Sequence, residues 1–194
     1  MTLETPVGES VIVLLHGRGG APADVAWLRD VVPAPWQTVC VEGWIPLGDG
    51  FEWFALPDTS FAGLLSDHVA GAVDALVAWV DVNVRATRVG LVGFSQGGAL
   101  AVQALRRHPR RFTVAAAFAG FMSVDAERGD TELAARRPPF LWVRGSHDDV
   151  IRDTEVARMR AFLPAHTSLE ERVHPDAGHE ITAAMAADLA RFLG

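Results

Sequence analysis

The stretch VGLVGFSQGGALAV, residues 89–102, is the most informative part of this sequence for predicting the fold. Small and apolar residues lead into GFSQG, residues 93–97, and a second apolar run follows. A short apolar run without polar alternation is typical of a strand that is buried on both faces. The sequence therefore predicts a buried strand that turns into a buried helix, with the hydroxyl group of Ser95 at the turn.

Residues 93–97 match the pattern G-x-S-x-G, which has a steric reason. In a sharp strand-to-helix turn the central residue has a strained backbone, and bulky neighbours would clash with the strand and the helix. The hydroxyl group then stands at the carboxyl end of the sheet, where ligands bind in such folds. The start of the following helix favours negative charge close to it. The pattern alone also fits a plain glycine-rich packing turn.

The rest of the chain alternates short apolar runs with longer helical patterns. The strand candidates are residues 11–15, 39–41, 89–92, 114–118, 140–143 and 169–173. The helical patterns lie within residues 65–80, 99–107, 156–163 and 181–192. We expect Asp153 or Thr154 to cap the third of these helices. The alternation predicts a three-layer α/β fold, with a mostly parallel central sheet and helices on both faces.

Length, composition and charge limit the function classes. The chain has 194 residues, 49% hydrophobic and 21% charged, which fits a single domain over residues 1–194. The net charge of -7 argues against a nucleic-acid or anionic-membrane binder, because both need basic patches. We expect no membrane span, since the sequence has no run of about 18 uncharged apolar residues.

Cysteine usage and the start of the chain predict a cytoplasmic location. Cys40 is the single cysteine, so no intrachain disulfide forms, and its short β-like run indicates a core residue. Residues 1–10 hold two glutamates but no basic residue and no long apolar run. This is not the pattern of a signal peptide.

Residues 42–60 predict an irregular loop that is rich in aromatic side chains. Loops on such sheets often line binding sites. Exposed aromatic residues here, such as Trp44 or Phe51, would either line a pocket or cover the interface of a homodimer. The sequence leaves both interpretations open.

A nucleophilic serine needs a base within hydrogen-bond reach, and the base needs a third group that fixes its tautomer. On this kind of turn the acid and then the histidine follow the serine in the chain. His179 follows a glycine and starts a helix after the last strand, so its ring can reach back towards Ser95. His147 and His174 lie in loops at the same edge of the sheet and are its rivals.

Two adjacent carboxylates follow the strand candidate 140–143. Asp148 and Asp149 both lie just past its end, at the same edge of the sheet as the serine. Because they are neighbours in the chain, their side chains cannot both point at His179. The residue pattern alone leaves the choice between them open.

Acyl transfer also needs N–H donors for the oxyanion. One is the backbone N–H of Gln96, the residue after the serine. The second is expected from the loop LHGRGG, residues 15–20, whose glycines allow close backbone approach, and we predict the N–H of Arg18. The same glycines would also make a plain strand-to-helix turn. A phosphate-binding loop is disfavoured, because the lysine of a P-loop and the dinucleotide spacing are missing.

Taken together, these segments resemble the α/β-hydrolase fold. Within it they resemble the carboxylesterase, phospholipase and acyl-protein thioesterase-like family. The resemblance covers nearly the whole chain and rests on residues 14–19, 93–98, 145–150 and 178–180. In this family the aspartate lies three residues after a strand-end glycine. Counted from Gly145, that position is Asp148.

The resemblance implies a small serine esterase with a minimal lid or none. Ser95, Asp148 and His179 would cleave carboxylic esters of small molecules or thioesters, and Trp53 and Phe54 would line the acyl site. Acyl-protein thioesterase and lysophospholipase-type activities are the alternatives, and a non-catalytic binding protein of the same fold is a further one. We expect no cofactor and no metal, because the histidines lack metal-ligand spacing and one cysteine cannot build a zinc site.

The chain departs from the family pattern at three places. Arg144 stands where the family has a histidine, and Ile151 and Arg152 replace a usual proline. Neither change touches a predicted catalytic group, but both concern the shape of the acid loop. Ala55 stands where many relatives have aspartate or proline, which affects substrate preference.

Overall fold

The computed structural model describes residues 8–56 and 64–194. The strands in these ranges are β1 (Ser10–Leu15), β2 (Gln37–Val41), β3 (Ile45–Leu47), β4 (Gly50–Glu52), β5 (Arg88–Phe94), β6 (Val114–Phe118), β7 (Pro139–Gly145) and β8 (Ser168–His174). The helices are α1 (Pro22–Ala26), α2 (Ser66–Asn83), α3 (Gln96–Arg107), α4 (Asp130–Arg136), α5 (Asp153–His166) and α6 (Ala183–Leu193). A short 3-10 helix, Trp27–Asp30, follows α1.

Six strands form one sheet in the order β2-β1-β5-β6-β7-β8, and every neighbouring pair is parallel. They correspond to the six strands that the sequence predicts. All residues of β1 are buried, because it lies inside the sheet and both of its faces are covered, which explains its continuous apolar run. β8 lies at the edge of the sheet, and its polar sequence SLEERVH suits that exposed position.

Two apolar cores lie on opposite faces of the sheet. One contains residues of α2, α3 and α5, and the other contains residues of α1 and α6. Side chains of β1 alternate between them, since Val13 belongs to the first core and Leu14 to the second. The predicted three-layer α/β fold is thereby confirmed.

Two local predictions are wrong. Residues 42–60 do not form an irregular loop throughout, because β3 and β4 make an antiparallel hairpin there; residues 57–60 lie outside the described part. Each hairpin strand has three residues, too few for a periodic pattern to show. The N-cap of α5 is Arg152, without a side-chain cap, so neither Asp153 nor Thr154 caps the helix. The Thr154 hydroxyl donates to Glu155 instead.

Within residues 8–56 and 64–194, every helix is too short or too polar to cross a membrane.

Candidate active site

Ser95 lies at the turn between β5 and α3, in the strained conformation that the pattern predicts. Its φ of 51° and ψ of -113° are unusual for a residue with a side chain. Its backbone N–H donates to Phe118 O at 2.8 Å, and its carbonyl oxygen accepts from Ala99 at 2.9 Å. These bonds to β6 and α3 hold the turn in place.

The two glycines of the pattern are explained by close backbone contacts. A Cβ atom on Gly93 would lie 2.1 Å from the carbonyl oxygen of Gly97. A Cβ atom on Gly97 would lie 2.4 Å from the carbonyl oxygen of Leu15, at the end of the neighbouring strand β1. Any side chain at either position would force the strand and helix apart, so the turn needs glycine at both.

A hydrogen-bonded line runs from the serine through a histidine to an aspartate. His179 Nε2 lies 2.9 Å from Ser95 Oγ, and His179 Nδ1 lies 2.9 Å from Asp148 Oδ2. A carboxylate only accepts hydrogen bonds, so Nδ1–H donates to Asp148 and Nε2 is the acceptor for the serine hydroxyl. The Phe94 ring packs against His179, with 5.0 Å between ring centroids.

Asp148 is held as a carboxylate by several donors. Its Oδ1 atom accepts the backbone N–H groups of Val150 and Ile151, both at 2.9 Å. Burial by itself raises the pKa of Asp148, but the hydrogen bonds from His179 and from this loop outweigh burial. The pKa of Asp148 therefore lies below its ordinary value. Asp149, the neighbouring candidate, is exposed.

The structure places the rival histidines elsewhere. His147 is exposed on the loop after β7. His174 ends β8 and directs Nε2 at Asp188 Oδ2 of α6, at 2.7 Å. Of the three candidates, His179 is the histidine that the structure brings to Ser95.

The loop after β1 lies directly beside the serine. A Cβ atom on Gly17 would lie 3.6 Å from Ser95 Cβ. Backbone bonds between Gly19 and Phe51, and an ion pair of Arg18 Nε with Glu52 at 2.8 Å, hold this loop against β4. Among the described residues, neither the backbone N–H of Arg18 nor that of Gln96 has a hydrogen-bond acceptor.

Trp53 and Phe54 are buried, with 1% and 3% of their surface exposed. They line a cavity of about 380 Å³ together with Trp44, Ala55 and residues of the hairpin and of α2. Their main chain is bound by the side chain of Gln96, which accepts from Trp53 N and donates to Phe54 O. The predicted aromatic pair is therefore connected to the residue after the serine.

His16 is a site residue that the sequence did not reveal. Its buried ring accepts the N–H of Gly43 at Nε2, 3.0 Å away, so Nδ1 carries the hydrogen and donates to the carbonyl oxygen of Gly17 at 2.7 Å. Its own carbonyl oxygen accepts Trp53 Nε1–H at 2.8 Å. Burial lowers the pKa of His16, which keeps this ring neutral. A polar residue directly after a fully apolar strand was the available signal.

The departures from the family pattern leave the acid loop intact. Arg144 turns to the edge of the sheet, where Nε lies 3.4 Å from Glu171 Oε1. Ile151 is buried and supplies one of the two N–H groups to Asp148. The loop therefore holds its carboxylate without the usual proline.

In residues 8–56 and 64–194, no group of three or more His, Cys, Asp or Glu side chains is placed to hold a metal ion.

The fold and the arrangement around Ser95 define an α/β hydrolase. A family model described as Phospholipase/Carboxylesterase matches residues 7–194, so the chain belongs to that family.

Proteins similar to this chain are named as carboxylesterases or as an acyl-protein thioesterase. A probable carboxylesterase of rice, Oryza sativa subsp. japonica, is 31% identical over 89% of this chain and 72% of its own length. A probable inactive carboxylesterase of the same plant is 28% identical over 88% of this chain and 78% of its own. The crystal structure of Zea mays acyl-protein thioesterase 2 shares the fold, with a TM-score of 0.78, 19% identity and coverage of 97% and 94%.

Proposed function

We propose that the protein is a serine hydrolase that cleaves carboxylic esters through an acyl-enzyme intermediate. The supporting observation is the continuous line from Ser95 Oγ through His179 to Asp148, with both distances at 2.9 Å. These distances are within the range over which a base activates a hydroxyl nucleophile and an acid orients that base.

The first half of the reaction forms the acyl-enzyme. Ser95 Oγ attacks the acyl carbon while its proton passes to His179 Nε2. Asp148 keeps Nδ1 protonated and stabilises the imidazolium, which its lowered pKa favours because it stays ionised. His179 then gives the proton to the leaving alcohol or thiol as the bond to the acyl carbon breaks.

The second half releases the acid. Water attacks the acyl carbon with His179 as the base, and the bond to Ser95 Oγ breaks as the serine recovers its proton. In both halves the backbone N–H groups of Gln96 and Arg18 would hold the oxyanion. The start of α3, where Gln96 is the first residue, adds favourable dipole charge.

The substrate is a small-molecule ester or a thioester, with Trp53 and Phe54 as walls of the acyl site. Acyl-protein thioesterase and lysophospholipase-type activities are the alternatives, in which a protein thiol or a lysophospholipid carries the acyl group. A panel of esters, thioesters and lysophospholipids graded by acyl length separates them.

The cytoplasmic location, the homodimer and the single-domain organisation remain predictions.

An alkyl fluorophosphonate probe tests the proposal. The wild-type protein should be labelled stoichiometrically at Ser95 and should hydrolyse a short-chain aryl ester. Ser95→Ala should lose both properties and keep its fold, because the substitution removes only the Oγ atom and its hydrogen bond to His179. Wild-type protein that is folded but neither labelled nor active contradicts the proposal and favours a binding protein.

A further inference from the structure

The side chain of Gln96 makes two hydrogen bonds that are separate from its backbone N–H. Its Oε1 atom accepts the N–H of Trp53 at 2.9 Å, and its Nε2 atom donates to the carbonyl oxygen of Phe54 at 2.7 Å. The residue is 0% exposed. One amide thus binds one donor and one acceptor of two consecutive residues, much as a neighbouring strand would.

We call these two hydrogen bonds of the Gln96 side chain the Gln96 clamp. The contacts of Trp53 extend the clamp to the loop after β1. The indole Nε1–H of Trp53 donates to the carbonyl oxygen of His16 at 2.8 Å. The two rings also pack together, with 4.7 Å between their centroids. His16 directly precedes Gly17, which lies beside the serine. The contacts therefore form a closed network that runs from Gln96 through Trp53 and His16 back to Ser95.

This network of contacts connects the two segments that carry the oxyanion donors. One donor, the N–H of Gln96, belongs to the start of α3, and the other, the N–H of Arg18, belongs to the loop after β1. Direct backbone pairing joins β1 to β5 only as far as Leu15 and Gly93. Beyond that point, backbone bonds hold the Arg18 loop to β4, and the Gln96 side chain links α3 to Trp53 and Phe54, which directly follow β4.

We propose that the Gln96 side chain is a positioning residue that sets the separation of the two oxyanion donors through Trp53 and His16. The inference rests on the proposed function, because it assigns a task within the same site. Donors that are held in place stabilise a transition state without reorganising, so a loosened clamp slows the chemical step. The line from Ser95 to Asp148 contains no atom of this clamp, so proton transfer keeps its pH dependence.

Gln96→Met is the main test, because it keeps the length of the side chain and removes both hydrogen bonds. We expect kcat/KM for a short-chain aryl ester to fall by about 10- to 100-fold, as for a small misplacement of reacting groups. The fall should lie in kcat, with KM and the pH profile unchanged. The inhibition constant of an aryl trifluoromethyl ketone, which forms a tetrahedral adduct with the serine, should rise in parallel.

Gln103→Met is the matched control, seven residues further along α3. Gln103 is also 0% exposed, donates to Ser123 Oγ at 2.7 Å and accepts from Arg106 Nη1 at 2.9 Å. The same substitution therefore removes buried hydrogen bonds from the same helix, away from the serine. Its melting temperature should fall, as that of Gln96→Met does, while its kcat per labelled serine stays at the wild-type value.

Three results overturn the inference while the wild-type protein remains active and labelled. They are unchanged kcat in Gln96→Met, an equal loss of kcat in Gln103→Met, or a loss confined to KM. If Gln96→Met fails to fold, Trp53→Phe replaces it, since it keeps a buried aromatic ring and removes the donor to the carbonyl oxygen of His16. Wild-type kcat in Trp53→Phe also overturns the inference. An inactive, unlabelled wild-type protein would instead mean that the proposed function itself is wrong.

Discussion

Two histidine–aspartate pairs of the described residues lie beyond the carboxyl ends of the strands or at the last residue of one, and they differ in what surrounds them. His179 binds Asp148 at 2.9 Å, and His174 binds Asp188 at 2.7 Å. The exposed fractions of the two histidine side chains, 17% and 22%, are also similar. Neither the bond length nor the burial of the histidine separates the pairs.

The carboxylates have different partners. Asp148 is fixed by two backbone N–H groups of its own loop, whereas Asp188 is shared among His174, Arg172 and Arg191. The first pair is anchored to the main chain, and the second is part of an ion cluster on the outer strand and α6. A histidine–aspartate pair is therefore not by itself a sign of a catalytic base.

Sheet topology explains why only one pair reaches the serine. β8, which ends at His174, is the edge strand, and β7 and β6 separate it from β5. The loop after β8 turns back over β7, where His147 N–H donates to Ala177 O at 3.0 Å. Those additional residues carry His179 to the end of β5, while His174 stays at the edge.

The largest effect is expected from replacing one of the two histidines with asparagine. His179→Asn should lower kcat by about 10⁴-fold or more, because the serine loses its base. His174→Asn should leave kcat near the wild-type value and cost about 1 kcal/mol of stability, as for one lost hydrogen bond, because Asp188 keeps Arg172 and Arg191 as partners. Ester hydrolysis and chemical denaturation of both variants check this. Similar losses of kcat in the two variants would remove the distinction between the pairs.

The next effect concerns the acids. Asp148→Asn should lower kcat by about 10³- to 10⁴-fold, since the amide no longer favours the tautomer with hydrogen at Nδ1 of His179. Asp149→Asn, on the exposed neighbour, should change kcat little. Single-turnover acylation rates of the two variants are the measurement. A larger loss in Asp149→Asn would mean that the other carboxylate orients His179.

The smallest effect is expected at His16, a buried histidine without a carboxylate bound to its ring. It concerns the pH dependence of the free energy of unfolding. Burial lowers its pKa, although the bond to Gly17 and the charges of Asp24 and Glu42 act in the opposite direction. The unfolded chain keeps the ordinary value of 6.5, so below that pH it binds a proton that the folded chain does not. The free energy of unfolding should therefore fall as the pH decreases from 6.5 towards the lower, folded pKa.

His16→Gln removes this titration and keeps an amide that can both donate and accept. Its free energy of unfolding, measured by urea denaturation from about pH 7 to about pH 5, should depend less on pH than that of the wild-type protein. Acidification below this window also weakens the protein through Asp148, whose lowered pKa contributes stability only while it is ionised. Equal slopes in the two proteins would show that His16 is not held neutral.

Much of the fold was predictable because it depends on local patterns. The six strand candidates correspond to the six parallel strands, and the apolar run of β1 was the clearest signal, since a strand covered on both faces has no polar side to alternate with. The hairpin in residues 42–60 escaped prediction, because its short strands are defined by pairing with each other and with Gly20. The N-cap of α5 was misplaced because it depends on the local path of the chain rather than on residue type.

The strained serine turn and its glycines follow from the local sequence, because backbone sterics permit little else there. Which histidine and which aspartate stand beside Ser95 depends on the way the strands are ordered in the sheet. His179 is 84 positions from Ser95 and 31 from Asp148, so their approach depends on the strand order and not on local spacing. The Gln96 clamp and the neutral His16 belong to the same class, since each is defined by partners that the fold brings from distant parts of the chain.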